Sequence, residues 1–204
     1  MNSIKIVSDF SDFYDGLSDN KSILVYNRQL CNSKQRGTAL KYLRSINIKT
    51  LEVKQVSQFY NDDELLVVYV NPFSHNGEGK KIMTVAEAQQ SFSNCVASKY
   101  YVSDGLSIKF LQIGKIKINL CYKKIDAVTL DKGTLVDISI NRDDYNRLIG
   151  LPIFSVDYIS VDNQMIATDF NEVERLSDLH IDKYIGAQEI VDEIAKSLVL
   201  YNKI

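Results

Sequence analysis

The chain has 204 residues, enough to bury a hydrophobic core without disulfide or metal staples, as one domain or as two small lobes sharing a cleft. Its formal net charge is −2 and its lysines are interleaved with acids, so the basic footprint that neutralises nucleic-acid phosphates is missing. No apolar run approaches the roughly 20 residues of a bilayer span, and residues 1–10 alternate instead of joining a basic stretch to an apolar block, which argues against a signal peptide.

Cys31, Cys95 and Cys121 are far apart and odd in number, and with two histidines they lack the spacing of a zinc site. Reduced thiols in a cytoplasmic protein are the simplest reading, with Cys95 and Cys121 acting as small apolar residues of strands. The lack of Trp and the richness in Asn, Lys, Ile and Tyr are what AT-rich coding gives. That bias points to a low-GC bacterium or its phage, and in the second case to the host cytoplasm.

Residues 4–7 alternate as a short strand, and Ser8 and Asp9 follow as caps for a short helix through Phe13 and Leu17. Residues 22–26 are nearly all apolar, a second strand buried on both faces. Ala39, Leu40, Leu43 and Ile46 recur at helical spacing, with Lys34, Arg36, Lys41 and Arg44 on other faces. An amphipathic helix is therefore predicted, stopped at Asn47 and followed by extended chain over 48–53.

Residues 65–70 form the strongest strand pattern and run into a loop over 71–81 that is dense in turn formers. Thr84 then opens a helix, with Glu87 three residues on as its capping-box partner. Strands are predicted over 95–102, 106–113 and 115–123, the first two joined at Ser103, Asp104 and Gly105. Residues 125–140 are ambiguous, and 143–149 read as a short helix ended by Gly150. Strands over 153–161 and 164–170 flank Asp162 and Asn163, a hairpin turn, and 187–200 form a last amphipathic helix. No repeat or low-complexity linker divides the chain, and the order of elements predicts an α+β or mixed α/β protein.

Three stretches carry chemistry. Gly77 and Gly79 can adopt positive φ and bring backbone N–H groups to phosphate oxygens, although a G-x-G loop also suits an ordinary turn and the Walker A spacing is absent. Lys109 can neutralise phosphate charge or stand as a solvated strand residue. Alternation puts Asp169 and Asn171 on one face of their strand, and pairing across the turn at Asp162 and Asn163 can bring Asp157 beside them. Two carboxylates and an amide are hard oxygen ligands suited to magnesium, or else scattered polar groups of a solvent-facing hairpin.

These stretches, in this order, resemble the ATP-grasp superfamily, the group that includes glutathione synthetase and D-alanine–D-alanine ligase. Val67 to Pro72, with His75 to Gly79 and Ile82, resembles the family's strand, Lys-Pro step and glycine-rich flap. Ala97 to Val102 and Leu106 to Lys115 resemble its adenine-side hinge and the strand pair whose Arg contacts phosphate, with Lys109 at that position. Phe154 to Ile159 and Ala167 to Asn171 resemble its two metal-bearing strands, "x-D-h" and "[D/E]-x-N". From about Val25 onward the resemblance covers nearly the whole chain.

The resemblance implies two strand-rich lobes around a nucleotide cleft: a short α/β region over 1–60, then a nucleotide-binding region over 61–204 with its flap lobe at 61–102 and its metal-bearing lobe at 103–204. It implies ATP and Mg2+ as cofactors. Asp157, Asp169 and Asn171 would hold the metal, with Lys109 beside them in catalysis, and Asn71, Gly77, Gly79, Lys80, Lys81, Lys99, Tyr101 and Lys109 would hold the nucleotide. The implied activity joins a carboxylate to an amine through an acyl phosphate, the partners being the nucleotide and small-molecule or peptide substrates, with no membrane or nucleic acid and with the oligomeric state open. The chain also departs from the pattern. Asn71 replaces the expected phosphate-binding Lys, Lys99 stands where the hinge often has an acid, and Glu172 to Leu176 replace a Pro-Gly turn. Those departures motivate the alternative of a non-catalytic nucleotide-binding or interaction module on the same scaffold.

Overall fold

The computed structural model describes residues 36–71, 79–103, 106–123, 134–135, 153–171, 185–186, 188–190, 192–193 and 195–196. The elements expected over 4–26 and 143–149, the ambiguous stretch 125–133 and 136–140, and the flap residues 72–78 with Gly77 lie outside them.

Helix α1 spans Arg36–Ser45 and ends where the sequence predicts. Asn47 takes φ 63°, the left-handed conformation that a short polar side chain tolerates. The N–H of Ile48 then donates to Leu43 O and that of Asn47 to Arg44 O, the paired bonds of a Schellman stop. Arg44 in the last turn donates to Leu51 O at 2.9 Å and Thr50 Oγ1 at 3.1 Å, which ties the outgoing chain to the helix.

That chain reaches strand β1, Val53–Gln55, and a 3-10 turn, Val56–Gln58. Strands β2, Leu65–Tyr69, and β3, Lys80–Thr84, lead into helix α2, Val85–Phe92, and strand β4, Val96–Lys99. The four strands form an antiparallel sheet in the order β1-β4-β2-β3. The predicted capping box is present: Thr84 accepts from the Glu87 N–H while the Glu87 carboxylate accepts from the Thr84 N–H. Lys80 and Lys81, expected in the loop, begin β3 instead, because each pairs across to β2 (Tyr69↔Lys80, Val68↔Lys81).

The second sheet contains β5, Leu106–Ile113, β6, Ile116–Lys123, β7, Thr134–Leu135, β8, Ile153–Val161, and β9, Gln164–Asn171, in the order β7-β6-β5-β8-β9. The strands on either side of Ser103 therefore do not pair: β4 belongs to one sheet and β5 to the other, and the connection joins the two sheets. Of the last predicted helix, residues 188–190, 192–193 and 195–196 are helical. Glu193 on it accepts from the Lys115 N–H at the β5–β6 turn. Among the described residues no helix is long and apolar enough to cross a membrane.

Each sheet buries one face under a helix. Leu40 and Leu43 of α1 lie on Ile108, Phe110, Phe154, Val156 and Phe170. A chain of rings runs through this core, Phe110 to Phe154 at 5.9 Å and Phe154 to Phe170 at 6.1 Å between centroids, with Tyr42 closing it at 5.8 Å from Phe170. In the smaller sheet Val85 and Ala88 of α2 cover Leu66, Val68 and Ala97. Residues 49–51 stitch the sheets together: Leu51 N–H donates to Ala167 O and Ala167 N–H to Lys49 O, a parallel bridge on the outer edge of β9.

Candidate nucleotide and metal site

The geometry of the site follows from one irregularity. Val161 pairs with Gln164 across the two-residue turn, where Asp162 and Asn163 have φ 51° and 59°. Positive φ at both central residues is the I′ geometry whose twist suits a tight hairpin. Continued regularly from that turn, the register would set Asp157 opposite Thr168 and put Asp169 opposite Val156, on the core face. A β-bulge between Asp157 and Tyr158 prevents this. The register steps from Tyr158↔Ala167 to Asp157↔Asp169, so Thr168 forms the bulge, and its Oγ1 donates to Asp157 O at 3.2 Å. Beyond it the pairs are Asp157↔Asp169, Val156↔Phe170 and Ser155↔Asn171. Directly opposed residues share a face, so one extra residue turns Asp169 and Asn171 to the side of Asp157 and returns Phe170 to the core.

On the other side of β8, Lys109 is directly opposite Asp157. Its Nζ lies 2.9 Å from Asp157 Oδ1 and 3.3 Å from Ser155 Oγ, and the two charged side chains are only 12% and 27% exposed. Asn171 Nδ2 donates to Ser155 Oγ at 3.4 Å, which commits the amide nitrogen to serine and turns its carbonyl oxygen elsewhere. Lys109, Asp157, Asp169 and Asn171 thus stand together on the face away from the α1 core. Ser155 connects two of them, and the sequence reading does not single it out. Its signal was present: it lies two residues before Asp157 and so shares that residue's face. Leu111, Ile113, Ile118 and Leu120, on the same face by register, are buried and give the site a low-polarity flank.

The donor chemistry fits magnesium. Two carboxylates and an amide carbonyl from neighbouring strands are hard oxygen ligands, and magnesium takes one or two carboxylates with the rest of its shell from phosphate and water. Among the described residues no group of three or more His, Cys, Asp or Glu could enclose an ion alone, so ligand oxygens would have to complete the shell.

Of the remaining described candidates, Lys80, Lys81 and Lys99 lie on strands of the smaller sheet and divide between its faces. Lys81 shares the α2 side with Val68, and its Nζ stands 5.0 Å above the Phe92 ring. Lys99 is opposite Leu66 on that same side, exposed and paired with Glu64, whose hydrogen bond and charge raise the ammonium's pKa. Lys80 is opposite Tyr69 on the other side, where Tyr69 Oη meets the buried Ser98 Oγ at 3.1 Å. That side faces the larger sheet, since Val53, paired with Ser98, and Tyr101 both pack against the core over the larger sheet. Asn71 is exposed, and its N–H and that of Val70 donate to Gly79 O, with Gly79 at φ 69°.

Two antiparallel sheets, each backed by a helix and joined by a short connection, with a polar cluster on a hairpin of the larger one, define an ATP-grasp fold. Solved structures with this arrangement include N5-carboxyaminoimidazole synthetase from Staphylococcus aureus with ADP, at TM-score 0.64 and 15% identity over 93% of this chain and 57% of that one. The macrocyclase MdnC from Microcystis aeruginosa with precursor peptide MdnA aligns at TM-score 0.58 and 12% identity, over 94% of this chain and 70% of that one. D-alanine–D-alanine ligase from Bacillus anthracis with ATP aligns at TM-score 0.55 and 15% identity, over 83% of this chain and 67% of that one. The chain thus spans 57% of the length of the synthetase. No family model and no curated protein sequence matches it.

Proposed function

We propose that the chain binds ATP with magnesium between its two sheets and uses it to join a carboxylate to an amine. The observation that carries this reading is the assembly of Lys109, Ser155, Asp157, Asp169 and Asn171 on one face of an ATP-grasp sheet. The ADP and ATP in two of the similar structures support a nucleotide in this fold, and the macrocyclase with its precursor peptide supports testing peptides as substrates.

Asp157, Asp169 and Asn171 supply oxygen ligands for magnesium, which when bound offsets charge on the β- and γ-phosphates. Lys109 positions the γ-phosphoryl group, Lys80 adds a cation from the smaller sheet, and Gly77 and Gly79 offer backbone N–H groups over the phosphates. Tyr101 lines the hinge side. A substrate carboxylate oxygen attacks the γ-phosphorus and ADP leaves. An amine nitrogen then attacks the acyl carbon and loses its proton as phosphate departs. No side chain has to act as a covalent nucleophile.

Calorimetric titration with ATP and magnesium tests the reading. Micromolar, magnesium-dependent binding by the native chain and its loss in Asp169→Ala are expected, by more than the roughly 10–100-fold that even an outer-shell change costs a metal site. Absence of binding at millimolar ATP would sink it. ADP release on adding amino acids or peptides then separates a ligase from a binder. A second reading, a nucleotide-binding or interaction module without turnover, is favoured by one observation: the exposed, neutral Asn71 at the end of β2.

A further inference from the structure

We infer that Lys109 is the resident cation of this site, so that a divalent metal alone is kept off Asp157 and metal and nucleotide load together. The inference rests on the nucleotide reading above and adds an order of events to it. Lys109 Nζ sits 2.9 Å from Asp157 Oδ1, within hydrogen-bond reach of Ser155 Oγ, and both charged side chains are largely shielded from solvent. A divalent ion approaching Asp157 meets a positive charge at contact distance. Shielding leaves that repulsion weakly screened.

The β5–β8 register runs from Ser107↔Ile159 to Ile113↔Ile153, so the backbone of Lys109 is fixed. Its four side-chain torsions are not, and they let the ammonium swing from carboxylate to phosphate while the strand stays still. A triphosphate offers the ammonium a stronger partner. Once Lys109 turns to it, Asp157 is released to the metal that arrives with the nucleotide. Arginine, with its planar fork, would hold a carboxylate in two bonds and transfer less readily; a lysine transfers as a point charge. The same coupling is reciprocal: nucleotide raises metal affinity by the factor by which metal raises nucleotide affinity.

The test uses the full chain and Mn2+ alone, with free Mn2+ read by electron paramagnetic resonance. Native protein binds Mn2+ weakly without nucleotide, and Lys109→Met tightens that binding by roughly tenfold or more. Lys109→Arg keeps it weak, and adding Asp157→Asn to Lys109→Met removes the gain. Unchanged or weaker Mn2+ affinity in Lys109→Met, with a native circular dichroism spectrum, overturns the inference. Lys109→Gln gives the same reading should the Met variant fail to fold. Native protein titrated with Mn2+ and ATP in parallel separates the two claims. Tight Mn2+–ATP binding without a Lys109→Met effect sinks the inference alone, whereas no Mn2+–ATP binding beside a clear Lys109→Met gain sinks the nucleotide reading and leaves Lys109 as the resident cation. No binding in any state sinks both.

Discussion

The two sheets are built alike and equipped differently. Each is antiparallel, and each buries one face under a helix, α1 on the larger and α2 on the smaller. On the larger sheet the face away from the helix holds a tight polar group in which every member sits opposite or beside another. On the smaller sheet two of the expected phosphate cations, Lys81 and Lys99, stand on the helix side with Phe92 and Glu64, and Asn71 is neutral. Lys80 is the lysine of that sheet placed toward the larger one. The end proposed for the metal is thus more fully equipped than the end proposed for the phosphates. Binding in such a cleft would lean on the larger sheet.

Phe170→Ala is the harshest test of that asymmetry. The bulge returns this ring to the α1 core, so its loss should lower urea-derived stability by about 3–5 kcal/mol. Deleting Thr168 instead removes the extra residue and keeps Asp157 opposite Asp169 and Val156 opposite Phe170, so it should be tolerated far better. A Phe170→Ala variant as stable as the native chain, or a Thr168 deletion more damaging than it, would break the account of the hairpin. Next in size is the smaller sheet's lysine pair. Lys80→Met should weaken ATP binding roughly tenfold, the worth of one charge-assisted hydrogen bond, while Lys81→Met leaves it within about twofold. Equal losses in the two would remove the facial distinction.

A gain is expected from Asn71→Lys. Restoring a cation at the exposed end of β2 should tighten ATP about three- to tenfold in calorimetry, and less at high salt. No change would mean that residue 71 does not reach the phosphates. The smallest effect concerns Glu193, whose pKa is held below the usual carboxylate value first by the Lys115 N–H bond and then by Lys196. A lowered native pKa contributes stability above the unfolded-state value, and the contribution fades as pH falls through the native one. Glu193→Gln should therefore slightly flatten the acid limb of a stability-versus-pH curve and leave neutral ATP binding unchanged.

Much of the fold was legible because local rules sufficed. Helix α1 declared itself through Leu40 and Leu43 and its stop through Asn47, α2 through Thr84 and Glu87, and the last hairpin through Asp162 and Asn163. Which strands share a sheet was not legible, since β4 and β5 are neighbours in sequence and only the long-range pairing of β4 with β1 and β2 separates them. The facing of the lysines was hidden for a related reason. Lys80 and Lys81 are adjacent, and until their register with β2 is known neither side can be assigned to either.

The sequence by itself determined the inventory of the candidate site: Lys109, Asp157, Asp169 and Asn171, with Asp169 and Asn171 on one strand face through period-2 alternation. Alternation cannot carry a face across a turn, because strand parity depends on register as well as on spacing. Counted back from the tight turn, Asp157 falls opposite Thr168, and a regular hairpin that kept Thr168 would have parted it from Asp169 and Asn171. The tertiary structure decided otherwise. The α1 core takes Phe154, Val156 and Phe170, the bulge absorbs Thr168, and the two acids and the amide come to face the same way.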